Sequence, residues 1–260
     1  YNEEIVGEAL APYHDQVIIA TKCGIIIGED RELITDARPE VIRQSLEGSL
    51  KRLKTDYIDL YYLHRIDPKT PIEVAAQTMK DLMEEGKIRH WGISEADEET
   101  IRKAHAICPL TAIQNRYSMM YRDYESLFDT LEELQISFVA FSPLANGLLS
   151  GAYNQNSVFE EKADYRSIMP QFQKEAYEAN QKLFEMINTI SKEKNCTPAQ
   201  LSLAWMINKK PFIIPIPGTR KSSRLKENLS AGDVILTQEE IKKIDDLLDK
   251  IPMSKVYGRK

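Results

Sequence analysis

The sequence predicts an α/β fold in which parallel strands alternate with helices. Three observations support this prediction: short apolar runs recur along the chain, segments with helical periodicity separate them, and no linker rich in Gly, Ser or Pro divides the chain. Short apolar runs are typical of strands buried on both faces, and repeated strand–helix units indicate a parallel sheet. A chain of 260 residues can bury a large core, and we expect a single domain over residues 1–260.

Six apolar runs are predicted as strands, and the segments between them as helices. The strands are Val17–Thr21, Ile58–Leu63, His90–Ser94, Thr111–Asn115, Phe138–Phe141 and Phe212–Ile216. One helix is predicted from apolar positions three and four residues apart, at Ile42, Leu46, Leu50 and Leu53. Further helix starts are predicted at Thr70, as a capping box, and at Asp97, Thr197 and Thr237.

The spacing of the units fits either an open, doubly wound sheet or a closed barrel. No Gly-x-Gly-x-x-Gly follows any predicted strand, although that motif is the usual dinucleotide fingerprint of the open fold. Its absence favours the barrel. In a barrel, active sites lie on the face where the carboxyl ends of the strands meet.

Each predicted strand ends on polar side chains. Lys22 follows the first strand, His64 the second, and Ser94 ends the third. The later strands are followed or ended by Gln114 and Asn115, by Ser142 and Asn146, and by Thr219, Arg220 and Arg224. One Lys or His at a strand end is more often a solvated loop residue. Six such ends together predict a pocket, but they do not define its chemistry.

Composition narrows the functional class. The net charge is −6 without a basic block, which argues against nucleic-acid binding. No apolar run approaches the roughly 20 residues that span a bilayer. The three cysteines are far apart and form no Cys-x-x-Cys motif, so we expect no disulfide or zinc site, and a reducing cytoplasmic environment.

The motifs at these strand ends resemble those of the aldo-keto reductase family, in order and over essentially the whole chain. The matching segments are IATKCG, DYIDLYYLHRIDP, EEGKIRHWGISEA, IQNRYS, FSPLANGLLSG and PIPGTRKSSRLKENL. The resemblance implies a (β/α)8 TIM barrel, NADPH as cofactor, and reduction of a small aldehyde or ketone to an alcohol.

The resemblance also implies the catalytic residues. Lys22 and His64 match the family's active-site lysine and histidine. The family's aspartate and tyrosine precede the segment that begins here at Asn2, so we expect about six of the eight strands in these 260 residues and no carbonyl turnover from them alone. Tyr1 is either a loop residue or, with a shortened loop, the catalytic tyrosine.

For the cofactor, the resemblance implies three groups of residues. Ser94 and Gln114 match residues that hold the nicotinamide carboxamide, with Asn115 as the alternative to Gln114, and Tyr117 matches an aromatic residue beneath the ring. The pyrophosphate loop corresponds to Ser142, Leu144, Asn146, Gly147 and Leu148. The adenosine-phosphate segment corresponds to Pro217, Gly218, Thr219, Arg220, Arg224, Glu227 and Asn228. A guanidinium suits a 2′-phosphate dianion, so NADPH is predicted over NADH.

Two alternatives to an active enzyme stay open at this point. The chain is alternatively an NADPH-binding regulatory or sensor subunit on the same fold, or an inactive fragment. His64 favours the enzyme, because the regulatory subunits of this kind carry a different residue there. The substrate and the oligomeric state are not identified by the sequence; the predicted pocket-lining loops are Gly24–Arg38, Ser118–Asp123 and Gly151–Gln173.

Overall fold

The computed structural model describes residues 1–30, 32–160 and 164–256. Its helices are α1 Asn2–Leu10, α2 Pro39–Leu53, α3 Ile72–Glu84, α4 Glu98–Ile107, α5 Phe128–Glu133, α6 Lys174–Ala179, α7 Gln181–Glu193, α8 Pro198–Lys209, α9 Ser222–Leu229 and α10 Gln238–Leu248. Its strands are β1 Ala20–Cys23, β2 Ile25–Ile27, β3 Leu33–Thr35, β4 Ile58–Leu63, β5 Ile88–Ser94, β6 Ala112–Arg116, β7 Ser137–Phe141 and β8 Ile213–Pro215. All six predicted strands are present, and the α/β class is confirmed.

The chain divides into two compact units. Unit 1 consists of Tyr1–Asn115 and Leu127–Phe138, and unit 2 consists of Arg116–Ser126 and the described part of Val139–Lys260.

In unit 1, β1, β4, β5 and β6 form a parallel sheet in that order. Lys22 is in register with Tyr62, and Ser94 with Gln114. The inner strand β4 carries Tyr61, Tyr62 and Leu63, each at most 1% exposed. Because the strands are parallel, their carboxyl ends lie along one edge of the sheet.

Unit 2 contains the end of β7 and all of β8. The backbone oxygen of Phe141 accepts from Tyr117 N at 3.2 Å, and that of Ala140 accepts from Ile216 N at 3.0 Å. The core helix is α8, whose Trp205 is fully buried. The Trp205 ring stacks on Tyr117 with centroids 5.3 Å apart.

The first predicted strand, Val17–Thr21, was placed about three residues too early. Strand β1 begins at Ala20, and Ile18 is 78% exposed. The buried carboxylate of Asp59 accepts the backbone N–H of Ile19 at 3.0 Å. That bond replaces a strand hydrogen bond, so the sheet pairing starts later and Lys22 lies inside β1.

Two other local predictions were wrong. Gly24–Arg38 was predicted as a loop, but it contains the antiparallel strands β2 and β3. Thr70 does not form a capping box: α3 begins after Pro71 without a side-chain cap, and Thr70 Oγ1 donates to Asp67 Oδ2 at 2.8 Å. The Thr70 hydroxyl, which the capping-box pattern assigned to the start of α3, is instead bound to the Asp67 carboxylate.

The other predicted helix signals are confirmed. Asp97 caps α4 by accepting from Thr100 N at 2.9 Å. Thr197 and Thr237 each form a full capping box, on α8 and α10. Across the described ranges, no helix is both long enough and apolar enough to cross a membrane.

Candidate active site

The carboxyl ends of β1 and β4 open into a cavity of about 530 Å³ in unit 1, here called the lysine–histidine cavity. Both Lys22 and His64 line it, as the sequence predicted for a common pocket. The remaining lining residues are Asn2, Glu3, Ala20, Thr21, Cys23, Ile25, Gln44, Ser45, Gly48, Ser49 and Arg52.

Lys22 is half-buried in this cavity. Its ammonium lies 5.8 Å from the centre of the Tyr62 ring, and no ion pair to it is found among the described residues. Burial, reinforced by the positive charge of Arg65, lowers the pKa of Lys22. A cation held this way favours a negative charge on any group that binds beside it.

His64 is also half-buried, and its backbone N–H donates to Cys23 O at 2.9 Å, as the parallel pairing requires. Burial lowers the pKa of His64 to about 4, and the charges of Arg65 and Lys22 contribute in the same direction. The imidazole is therefore neutral at pH 7. A neutral imidazole has one N–H donor and one acceptor nitrogen.

Glu3 and Arg52 complete the charged lining of the cavity. Burial raises the pKa of Glu3, but hydrogen bonds from Thr21 and Arg52 outweigh it, so that pKa lies below its ordinary value. Thr21 Oγ1 donates to Glu3 Oε1 at 2.6 Å, and Arg52 Nε donates to Glu3 Oε2 at 2.7 Å. Because these two charges are paired, Lys22 is the cation that remains available to a ligand.

At the ends of β5 and β6, the predicted carboxamide-binding residues lie together in unit 1. Ser94 is 1% exposed and donates from Oγ to the backbone oxygen of Gln114 at 2.7 Å. Asn115 is fully buried, and its Oδ1 accepts from Glu95 N at 2.7 Å. The Oδ1 atom of Asn115 is thus taken by the backbone of Glu95, whereas its buried Nδ2 atom has no hydrogen-bond partner among the described residues. Gln114 and Asn115 both remain candidates for binding the carboxamide.

Unit 2 holds a second cavity, of about 810 Å³, here called the basic cavity. Of the residues predicted for the pyrophosphate and adenosine phosphate, those that line it are Ser142, Leu144, Asn146, Gly147, Pro217, Gly218, Thr219, Arg220, Arg224 and Asn228. Its other lining residues are Pro143, Ser150, Tyr153, Tyr165, Arg166, Met169, Ile216 and Lys221.

The loop after β7 forms one wall of the basic cavity in a strained conformation. Ser142, Ala145 and Asn146 have φ values of 52°, 48° and 61°, and Gly147 has 101°. Positive φ in non-glycine residues costs about 1 kcal/mol or more each and is typical of functional sites. Gln171 supports the loop, because its Nε2 donates to Asn146 Oδ1 at 3.2 Å.

The positive charge of the basic cavity comes from the segment before α9 and from the first turn of that helix. Lys221 and Arg224 form no ion pair within the part of the chain that the structure describes. Helix α9 begins after Lys221 without a side-chain cap, so the backbone N–H groups of its first turn are open. Unpaired cations and free helix N–H groups suit a phosphate, and the cavity volume lies in the range of cofactor sites. The residues present therefore fit a phosphate-bearing nucleotide.

Three predicted cofactor residues lie elsewhere. Leu148 is 1% exposed and belongs to the core, and Glu227 does not line the basic cavity. Tyr117 is fully buried, with its hydroxyl donating to Glu125 Oε1 at 2.6 Å and its ring against Trp205. A ring enclosed in this way does not offer a face to a nicotinamide.

Sequence reasoning missed Arg166 and underrated Tyr153. The Arg166 guanidinium pairs with Asp164 and with the Tyr153 hydroxyl, and its charge lies 4.7 Å from the centre of the Tyr153 ring. An Asp two residues before an Arg in a predicted polar loop was a local signal of such a pair. Tyr1 is 89% exposed and does not line the lysine–histidine cavity, although the neighbouring Asn2 and Glu3 do.

The chain combines a parallel sheet that has a lysine and a histidine at its carboxyl edge with a basic cavity of nucleotide size. Comparison with known proteins identifies the class of enzyme. The pattern of the aldo/keto reductase family matches residues 1–249. A probable aldo-keto reductase 1 of Glycine max is 38% identical over 99% of this chain and 73% of its own length.

Solved structures give the same result. The glycerol dehydrogenase of Gluconobacter oxydans has a TM-score of 0.85 and 31% identity, covering 96% of this chain and 77% of its own. An aldo/keto reductase of Klebsiella pneumoniae, solved with NADP and acetate, has a TM-score of 0.72 and 26% identity, covering 95% and 75%. The chain belongs to the aldo/keto reductase family, and its fold is the (β/α)8 barrel type of that family.

Proposed function

We propose that this protein is an NADPH-dependent reductase that converts the carbonyl group of a small aldehyde or ketone to an alcohol. The observation that supports this most is the shared cavity of Lys22 and His64, in which burial lowers the pKa of both groups. Perturbed ionisable groups that meet in a cleft are typical of catalytic sites.

His64 and Lys22 have different tasks in the proposed reaction. The neutral His64 donates its ring N–H to the carbonyl oxygen, which orients the substrate and favours negative charge on that oxygen. The Lys22 ammonium lowers the pKa of the acid that protonates the alkoxide; in the resembling family that acid is a tyrosine. When bound, NADPH supplies the hydride.

The resemblance to the family assigns the residues that would hold the cofactor. In unit 1, Ser94 and Gln114 or Asn115 would bind the carboxamide. In unit 2, the loop from Ser142 to Gly147 would bind the pyrophosphate. Arg220 and Arg224 would bind the 2′-phosphate, a dianion that a guanidinium fork matches. That preference is why we propose NADPH rather than NADH, and the NADP bound to the Klebsiella relative supports a cofactor of this class.

The glycerol dehydrogenase relative directs the choice of substrate. It makes short hydroxyaldehydes, such as glyceraldehyde, the first compounds to test, followed by aromatic aldehydes. Free Cys23, Cys108 and Cys196 fit a reducing compartment, and we propose that the protein works in the cytoplasm.

The test measures NADPH oxidation by the full-length protein with a panel of aldehydes, together with calorimetric binding of NADPH and NADH. The proposal expects tight NADPH binding and turnover that requires both Lys22 and His64. Tight binding with no turnover on any carbonyl would instead support the alternative of a regulatory or sensor subunit. Absence of binding to either cofactor would refute both.

A further inference from the structure

Arg65 directly follows His64 and joins the carboxyl ends of two strands. Its Nη1 donates to the backbone oxygen of His64 at 2.6 Å and to Ser94 Oγ at 3.2 Å. Its Nε lies 3.3 Å from Glu95 Oε2. One guanidinium therefore bonds the end of β4, which carries His64, to the end of β5, which carries Ser94.

Two hydrogen bonds together fix what the Ser94 hydroxyl can do. That hydroxyl has one hydrogen and two lone pairs. Its hydrogen goes to the backbone oxygen of Gln114 at 2.7 Å, and one lone pair accepts from Arg65. The remaining lone pair can only accept. Ser94 therefore suits a ligand N–H, such as the amide of a carboxamide, and does not suit a ligand carbonyl oxygen.

Glu95 holds Arg65 in place from the other side. Its φ of 54° is strained for a glutamate, and Asn115 Oδ1 fixes this conformation by accepting the Glu95 N–H. The strained backbone of Glu95 and the buried Asn115 together hold the Glu95 carboxylate against the Arg65 guanidinium. Arg65 and Glu95 are 35% and 28% exposed, and an ion pair at that exposure contributes little to stability, so the arrangement points to a role in positioning Arg65.

We propose that Arg65 is a positioning residue. By donating to the Ser94 oxygen it keeps the hydrogen of that hydroxyl on the Gln114 backbone oxygen, so that Ser94 accepts the amide N–H of the nicotinamide carboxamide, and it links Ser94 to the backbone of His64. The inference rests on the proposed function, because its ligand is a nicotinamide cofactor. Arg65 acts through Ser94 and His64 and does not itself contact the reacting atoms.

Arg65 also acts on the charge of His64. Around the imidazole, Lys22 and Arg65 both lower its pKa in addition to burial, while Glu3 and Arg52 of the same cavity neutralise each other. Glu95 faces Arg65 and offsets part of its charge. Loss of Arg65 should therefore raise the pKa of His64, which NMR can follow on the imidazole signals without any turnover.

The experiment compares binding of NADP⁺ with binding of its 3-acetylpyridine analogue, in which a methyl group replaces the amide nitrogen. The proteins are the full-length wild type, Arg65→Met, Arg65→Lys and the control Arg43→Met. Arg43 is matched to Arg65, since it is 37% exposed against 35% and pairs with Glu85 in the same unit. His64 is titrated by NMR in all four proteins.

We expect Arg65→Met to reduce the preference for NADP⁺ over the analogue about threefold to tenfold, the scale of one hydrogen bond, and to raise the pKa of His64. Arg65→Lys should keep that pKa low but lose the preference, because one ammonium cannot replace the guanidinium fork. It also serves as the test if Arg65→Met fails to fold. Arg43→Met should resemble the wild type in both measurements.

Two results would overturn the inference: an Arg65→Met protein that matches Arg43→Met in both measurements, or an Arg65→Lys protein that keeps the full preference. If the wild type binds neither NADP⁺ nor the analogue, the proposed function fails instead. In that case the His64 titration still tests whether Arg65 acts on the imidazole.

Discussion

The lysine–histidine cavity of unit 1 and the basic cavity of unit 2 are built in different ways. In unit 1, Lys22 lies within β1 and His64 directly follows β4, so hydrogen bonds of the sheet fix the backbone beneath them. In unit 2, the cavity is lined by the loop after β7 and by the segment between β8 and α9. Rigid strand ends suit chemistry that needs fixed geometry. Loops and exposed cations suit capture of a charged ligand.

The largest expected effect tests whether unit 1 carries the chemistry. His64→Gln in the full-length protein should lower kcat for an aldehyde by about 10² to 10³, because the loss of a positioned hydrogen-bond donor to the oxygen that gains negative charge costs on that scale. The dissociation constant of NADPH should stay within about twofold. Steady-state kinetics and calorimetry measure the two quantities. His90→Gln, on the exposed part of β5, is the control and should change neither.

The next effect tests whether unit 2 carries the binding. Arg224→Ala should weaken NADPH by roughly 1.5–3 kcal/mol, the scale of a charged hydrogen bond, while NADH is barely affected and kcat is retained. Lys226→Ala is the control, since this exposed lysine on α9 does not line the basic cavity. An equal loss for both cofactors would show that Arg224 does not recognise the 2′-phosphate.

The difference in construction also explains what could be predicted from the sequence. Lys22 and His64 were found because an apolar run that turns polar is a local signal, visible within a few residues. The strand that carries Lys22 was nevertheless placed too early. Its start is set by Asp59, which lies 40 positions from Ile19, the residue that it bonds. A contact of that separation leaves no trace in a short window of sequence.

In unit 2 the sequence predicted the residue types but not their geometry. The motif placed Asn146 and Gly147 at the basic cavity, yet nothing local indicates three successive residues with positive φ, at Ala145, Asn146 and Gly147. That conformation is supported by Gln171, 25 positions further along. Tyr117 was misjudged for the same reason, because its burial depends on Trp205 and Glu125.

Two glycine substitutions should distinguish the tightly packed sheet of unit 1 from the open segment after β8 in unit 2. A Cβ added at Gly92 on β5 would collide with the backbone oxygen of Ala112 and lie 2.6 Å from the Tyr62 ring, whereas one added at Gly218 meets nothing within 4 Å. Gly92→Ala should destabilise the protein by about 1–3 kcal/mol, lowering Tm by roughly 2–4 °C per kcal/mol. Gly218→Ala should stay within about 0.5 kcal/mol. Equal losses in thermal unfolding would contradict the difference in packing.

The smallest expected effect is a pH dependence that originates in unit 1. The pKa of His64 is lowered from 6.5 to about 4 in the folded protein, so the unfolded chain binds the extra proton between these values. The free energy of unfolding is therefore unaffected by this group above pH 6.5. It should decline as the pH falls from 6.5 towards 4, by on the order of 1 kcal/mol for a half-buried ring that keeps part of its hydration.

Other groups titrate in the same range, so the effect has to be measured as a difference. Urea unfolding of the wild type and of His64→Gln at matched pH values provides it, because glutamine has no proton to gain and the remaining titrations cancel. The free energy of unfolding of the wild type minus that of His64→Gln should decrease as the pH falls towards 4. A gap that does not change with pH would show that His64 is as well hydrated in the folded protein as in the unfolded chain. The imidazole of His64 would then be protonated below pH 6.5, and the neutral ring that the proposed carbonyl contact requires would be lost there.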